Sequence, residues 1–177
     1  MNEPLKAIVN LRNLTLVFST IMFAMLVYYF FTGFGGPRLL ATRLVPLALI
    51  IHMLIVYQND YLYPSLPAII NHLLLILYIG ICLYAIYYFY LEYENIAIWR
   101  QGSYTTQDFI VGLLLFFLVM ELSRIAHSAL FWVNVALVVY TIFGYLSPID
   151  FFWHPGTTFY RVVTSSTVEL ATGIYGL

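Results

Sequence analysis

Of 177 residues, 63% are hydrophobic and 19% aromatic, while only 8% are charged, against about 25% in water-soluble domains. The net charge is −1, with seven basic residues scattered singly, which excludes a nucleic-acid footprint and a polybasic lipid-binding cluster. The single cysteine, Cys82, lies in an apolar run and can close no intrachain disulfide, so it reads as a small packed hydrophobe.

About 20 helical residues cover a hydrocarbon core of about 30 Å. Stretches of that order lie near residues 14–31, 39–57, 68–91, 107–124 and 129–146. The sequence therefore predicts an all-α polytopic membrane protein with about five transmembrane helices. One transmembrane domain is expected over 1–148, followed by a short interfacial tail over 149–177.

The first span, Leu14 to Phe31, follows a polar start and ends in Tyr28 and Tyr29, where an aromatic belt sits near the interface. It lacks a small-residue cleavage pattern and reads as a retained helix. Three glycines and a proline in Gly33-Phe34-Gly35-Gly36-Pro37 then force a turn. With no soluble strand or helix pair framing them, these glycines do not read as a phosphate cradle. The second span carries Arg43 and Pro46 near its start; the arginine can snorkel toward headgroups and the proline at most kinks the helix.

Gln58 to Pro67 is polar and proline-marked and reads as a loop. The third span concentrates Tyr84, Tyr87, Tyr88 and Tyr90 at its end, and Glu92 and Glu94 mark the exit. In the connector that follows, Thr105 or Thr106 is positioned to cap the fourth helix, with Asp108 in its first turn complementing the helix dipole. The apolar part of that helix, Phe109 to Met120, meets Glu121 and Arg124. Only Leu122 to Ser128 separates it from the fifth span, which predicts a helical hairpin. In the tail, Thr158 to Leu170 reads as a short helix along the interface or against a partner. Charge does not decide orientation: Lys6, Arg12 and Arg124 fall on one side, and Arg38, Arg43, Arg100 and Arg161 on the other.

Ionisable groups within a membrane are costly, so each demands a reason. Glu121 and Arg124 are three residues apart, on one helical face, where a salt bridge offsets both burial penalties. His127 and Ser128 continue that face. A proton relay would need further carboxylates at membrane depth, whereas Asp60, Glu92, Glu94, Asp108 and Asp150 all fall at predicted boundaries; a structural pair is the preferred reading. His52 and His72 are the candidate pair for a b-type haem in an electron-transfer subunit, since antiparallel neighbours could bring them to similar depth. His127 and His154 sit in connectors and could hold a metal only with ligands from elsewhere. No nucleophile motif or metal-ligand spacing points to an enzyme.

From about Tyr28 onward the order of motifs resembles one family. The run Tyr29-Phe30-Phe31-Thr32-Gly33-Phe34-Gly35 is similar to the first hairpin of fused permeases of TAXI-type tripartite ATP-independent periplasmic (TRAP) transporters. Arg100 and Gly102 followed by Asp108 resemble their connector. Glu121-Leu122-Ser123-Arg124 resembles their acidic-then-basic motif, although that motif usually has two adjacent basic residues and here Ile125 follows Arg124. Thr172-Gly173-Ile174-Tyr175-Gly176 resembles the segment ahead of their large transport domain, where this chain stops.

The resemblance implies a small Q-type membrane component, a non-catalytic scaffold that packs on a large M-type elevator permease. That partner would carry the substrate and sodium sites, with substrate delivered by a periplasmic binding protein, so no cofactor or metal is expected in this chain. Arg100, Gly102, Asp108, Glu121, Arg124, Gly173 and Gly176 become candidates for structural or subunit-interface roles. The implied location is a bacterial or archaeal inner membrane, with the N-terminus cytoplasmic and the C-terminus periplasmic.

Overall fold

A run of apolar residues that must leave no backbone group unpaired resolves into helices, and helices account for the regular structure of this protein. The computed structural model describes the backbone of residues 3–169 and the side chains of residues 10–169. Gly173 and Gly176, with the rest of the last predicted motif, lie outside the described residues. In chain order the helices are α1 (Glu3–Thr32), α2 (Gly36–Asn59), α3 (Ala68–Glu94), α4 (Thr106–Ala126), α5 (Ser128–Phe143) and α6 (Phe159–Val163). Five segments are long and apolar enough to cross a membrane: Asn10–Thr32, Gly36–Asn59, Ala68–Trp99, Thr106–Ala126 and Ser128–Leu146. They correspond to the five expected spans. The first helix starts earlier than its apolar run, because the residues ahead of Leu14 include the good helix formers Leu5, Lys6, Ala7 and Leu11.

The described residues form two compact units, divided between Tyr93 and Glu94. In the first, α1 and α2 pack as neighbours. Their link is tight because Gly35 and Gly36 adopt φ of 77° and 71°, a left-handed region closed to most side chains. Thr32 closes the turn: its hydroxyl donates to the Tyr28 carbonyl at 2.8 Å and accepts from the Phe34 N–H at 3.2 Å. At the far end of α2, the Gln58 amide donates to the Thr15 hydroxyl at 2.5 Å, pinning α2 to α1.

Two contacts show α2 and α3 to be antiparallel. The Tyr57 ring meets His72 at 5.5 Å near one end, and the Arg43 guanidinium lies 5.1 Å from the Tyr90 ring centre near the other. Ile50, Met53 and Leu54 of α2 and Cys82, Ala85 and Phe89 of α3 are buried. The loop between the two helices is held by Asn71, which is fully buried. Its Oδ1 accepts from the Tyr63 N–H at 2.9 Å, and its Nδ2 donates to the carbonyls of Tyr63, Leu66 and Pro67 at 2.9, 3.0 and 3.4 Å.

In the second unit, a π-helical turn at Asn95–Trp99 leads through the connector into α4. This helix does not stop at the charged pair; it runs to Ala126, since residues 121 and 124 share one helical face and need not interrupt it. The expected connector of several residues is thus reduced to His127 alone, extended at φ −149° and ψ 99°. Phe116 and Met120 of α4 line the same cavity as Asn134 and Val138 of α5, so the two helices run back to back as a hairpin. The tail continues through short 3-10 turns into α6 and a π-helical segment, Thr164–Glu169.

That last segment packs on α4 of the same chain, where the sequence left it for an interface or a partner. Gly112 is the reason. A Cβ there would lie 2.6 Å from the Thr167 hydroxyl and 2.9 Å from a Val168 methyl, so only glycine permits the approach. A second closure forms at the end of α5, where the His154 ring occupies the space a Gly144 side chain would take.

Candidate functional site

The charged residues singled out in the sequence gather into two nodes, both in the second unit. The first surrounds Asp108, whose side chain is fully buried. Thr105 caps α4 with a reciprocal pair of bonds: its hydroxyl accepts from the Asp108 N–H at 3.2 Å, and Asp108 Oδ2 accepts from the Thr105 N–H at 2.7 Å. The same Oδ2 accepts the Thr105 hydroxyl proton at 2.7 Å and lies 3.2 Å from Arg100 Nη1. Gly102, at φ 80°, supplies the left-handed turn that returns the chain from Arg100 to Thr105. Arg100, Gly102 and Asp108 therefore form one lock. The cap was legible in the sequence; the ion pair across it was not, because its partners are eight residues apart over an irregular turn.

Tyr104 sits against this lock. Its phenol is held above the ordinary value of 10.0, first by burial and further by the Glu169 carboxylate. The chemistry of the node is retention: one carboxylate oxygen saturated by three donors has little capacity left to take up a proton or an ion.

The second node is the expected pair. Arg124 Nε donates to Glu121 Oε2 at 2.9 Å and its Nη2 to Oε1 at 2.6 Å, a two-pronged fork. Their side chains remain 46% and 28% exposed, so the pair lies on the surface of α4. His127 does not extend the node. It is the break itself, exposed between two helices.

His72 and His154 have local partners. His72 Nδ1 lies 2.6 Å from the Ala68 carbonyl, which it satisfies as a donor, and the ring packs edge-on to Tyr57 and Tyr61. His52 is exposed on α2. Among the described residues no contact joins it to His72, and no three His, Cys, Asp or Glu side chains come together. His154 Nδ1 accepts from the Gly156 N–H at 3.0 Å, which leaves the ring proton on Nε2 to donate to the Tyr140 carbonyl at 3.0 Å. Tyr140 answers by donating its hydroxyl to the Phe152 carbonyl at 2.7 Å, so this corner folds the tail back onto α5.

Two surfaces stand out by lacking internal cover. The apolar window of α1 has no buried residue, and α5 has none among Ser128–Phe143. Large side chains such as Phe23, Phe30 and Phe31 of α1 and Trp132 and Leu137 of α5 are more than half exposed. Apolar areas of this extent need lipid or protein against them. No known family model, curated protein or solved structure matches the chain.

Proposed function

We propose that this chain is a multi-pass membrane protein that serves as a non-catalytic scaffold subunit of a sodium-coupled TRAP transporter. It would pack against the large elevator-type permease subunit, with lipid covering the rest of its surface. Substrate and sodium would be handled by that larger partner and by a periplasmic binding protein. The setting is a bacterial or archaeal inner membrane, N-terminus in the cytoplasm and C-terminus in the periplasm.

The observation that carries this reading is how the ionisable side chains of the motifs are used. Arg100 and Asp108 are joined to each other at 3.2 Å, and Glu121 and Arg124 at 2.6 Å. Groups that neutralise one another at helix ends build a frame; ion-coupled transporters instead gather open carbonyls and broken helices at mid-depth. Helices α1 and α5, without buried residues, offer the apolar faces that a larger helical partner would cover.

The test is co-expression with a large TRAP permease subunit. The two should co-purify in detergent, and the small chain alone should bind neither substrate nor sodium. Sodium-dependent substrate binding by this chain alone would overturn the reading. A Soret band lost on His52→Ala or His72→Ala would redirect it to haem-based electron transfer.

A further inference from the structure

Arginine at membrane depth is tolerated when something answers its charge. Arg100 and Arg124 have carboxylates; Arg43 does not. Among the described residues its guanidinium lies over the Tyr90 ring, 5.1 Å from the centroid, and makes no ion pair or hydrogen bond. Glu92 and Glu94, within about a turn of Tyr90, form no ion pair with it. The side chain is half-buried all the same, and a cation–π contact leaves five N–H donors to be satisfied.

The guanidinium opens into a crevice. Its walls combine Arg43 with the Tyr28 and Tyr29 rings and with aliphatic Met25, Leu39 and Leu40. The free space is about 50 Å³, room for roughly three or four water-sized groups, enough for a phosphate head whose remainder extends out of the crevice. The position matters as much as the lining. Arg43 is seven residues into α2, about 10 Å from its start; Tyr28 and Tyr29 precede the end of α1 at Thr32, and Tyr90 precedes the end of α3 at Glu94. Three helix ends therefore meet at one level, with tyrosines where an interfacial belt belongs. Arg38, half-buried and five residues nearer the start of α2, lies outside the crevice lining but adds a second positive charge without an ion pair among the described residues.

We propose that this crevice binds one anionic phospholipid, its phosphate held by Arg43 over Tyr90 and the start of an acyl chain lying along Met25, Leu39 and Leu40. The match is to an amphiphile: a fork of donors for the phosphate beside an aliphatic wall. The positive charge of Arg38 and Arg43 favours a headgroup with net negative charge over a zwitterionic one. This inference rests on the membrane reading and is independent of the transporter assignment.

Native mass spectrometry of the detergent-purified chain tests it, with phosphatidylglycerol and phosphatidylcholine of identical acyl chains as probes. Phosphatidylglycerol should be retained at one per chain in preference to phosphatidylcholine. Arg43→Gln should weaken that retention on the order of tenfold, the loss of a charge-assisted fork, while Arg12→Gln leaves it unchanged. Arg43→Lys keeps the charge and loses the fork, so it should fall between wild type and Arg43→Gln, and it carries the test if Arg43→Gln does not fold. Glycerol phosphate without acyl chains should not compete at equal concentration; competition would assign the site to a free anion and overturn the lipid proposal. Equal retention of both lipids, or unchanged selectivity in Arg43→Gln or Arg43→Lys, would overturn it as well. A chain that stays monodisperse without detergent would instead sink the membrane reading, a separate failure.

Discussion

Removing the Asp108 carboxylate should unlock the start of α4. Asp108 is fully buried and its Oδ2 collects the Thr105 N–H and hydroxyl, each at 2.7 Å, and Arg100 at 3.2 Å. Losing the capping box costs about 1 kcal/mol. Stranding a buried charge costs about 3–5 kcal/mol, but Arg100 is 22% exposed and can turn partly to water, so about 1–2 kcal/mol of that applies here. Asp108→Ala is therefore expected to destabilise the second unit by about 2–3 kcal/mol, and Asp108→Asn, which keeps shape and one acceptor, by about half as much. Thr105→Ala should cost about 1 kcal/mol. The assay is unfolding of the detergent-solubilised protein by sodium dodecyl sulfate, followed by circular dichroism. A double-mutant cycle with Arg100→Ala should return a coupling of about 1 kcal/mol or more. If Asp108→Ala unfolds within about 0.5 kcal/mol of the wild type, the carboxylate does not hold the lock and the reasoning fails.

Asn71→Ala should release the loop between α2 and α3, because it orphans the Tyr63 N–H and the Leu66 carbonyl, while the carbonyls of Tyr63 and Pro67 keep backbone donors; a loss of about 2–4 kcal/mol is expected, with faster hydrogen exchange at Tyr63, and unchanged exchange there would contradict it. Under the proposed scaffold role, with the exposed fork on α4 covered by the larger subunit, Glu121→Gln or Arg124→Gln alone should impair co-purification more than the double change to leucine, since a single change leaves one uncompensated charge; equal yields in the three variants would remove the pair from the proposed interface. Tyr104 gives a pH dependence. Its phenol is raised above 10.0 in the folded protein, so its contribution is complete below pH 10 and is lost as the pH climbs further, when the unfolded chain ionises first. Tyr104→Phe should flatten that alkaline decline by up to one proton relative to wild type, and identical slopes would refute the burial argument.

What the sequence made legible was whatever depends on local chemistry. Five apolar runs, the glycine turn after α1 and the Thr105 cap all follow from nearest neighbours, and each forms where the residues put it. The Glu121–Arg124 fork belongs to the same class, because helical spacing alone brings the two together. The rest hinges on tertiary geometry. Asn71 goes unmarked in the sequence, yet it is fully buried and anchors a loop; an asparagine four residues after Pro67, at the head of an apolar helix, was the available signal. Gly112 sits unremarked in a helix of leucines and phenylalanines until the tail is seen lying on it. His154 read as a connector residue that could hold a metal only with ligands from elsewhere, and its ring nitrogens are both engaged by backbone in a closure that no local pattern announces.

The junction at His127 also bears on biogenesis. With a single residue between α4 and α5, the polar residues of the junction belong to the helices themselves, and no separate loop exists that the insertion machinery could hold on one side while it releases the first helix. The two would have to partition into lipid together, as a preformed couple, and the direction taken by one dictates that of the other. A tag or glycosylation acceptor spliced after Ala126 would then disturb delivery to the bilayer itself, in addition to any effect on the finished fold.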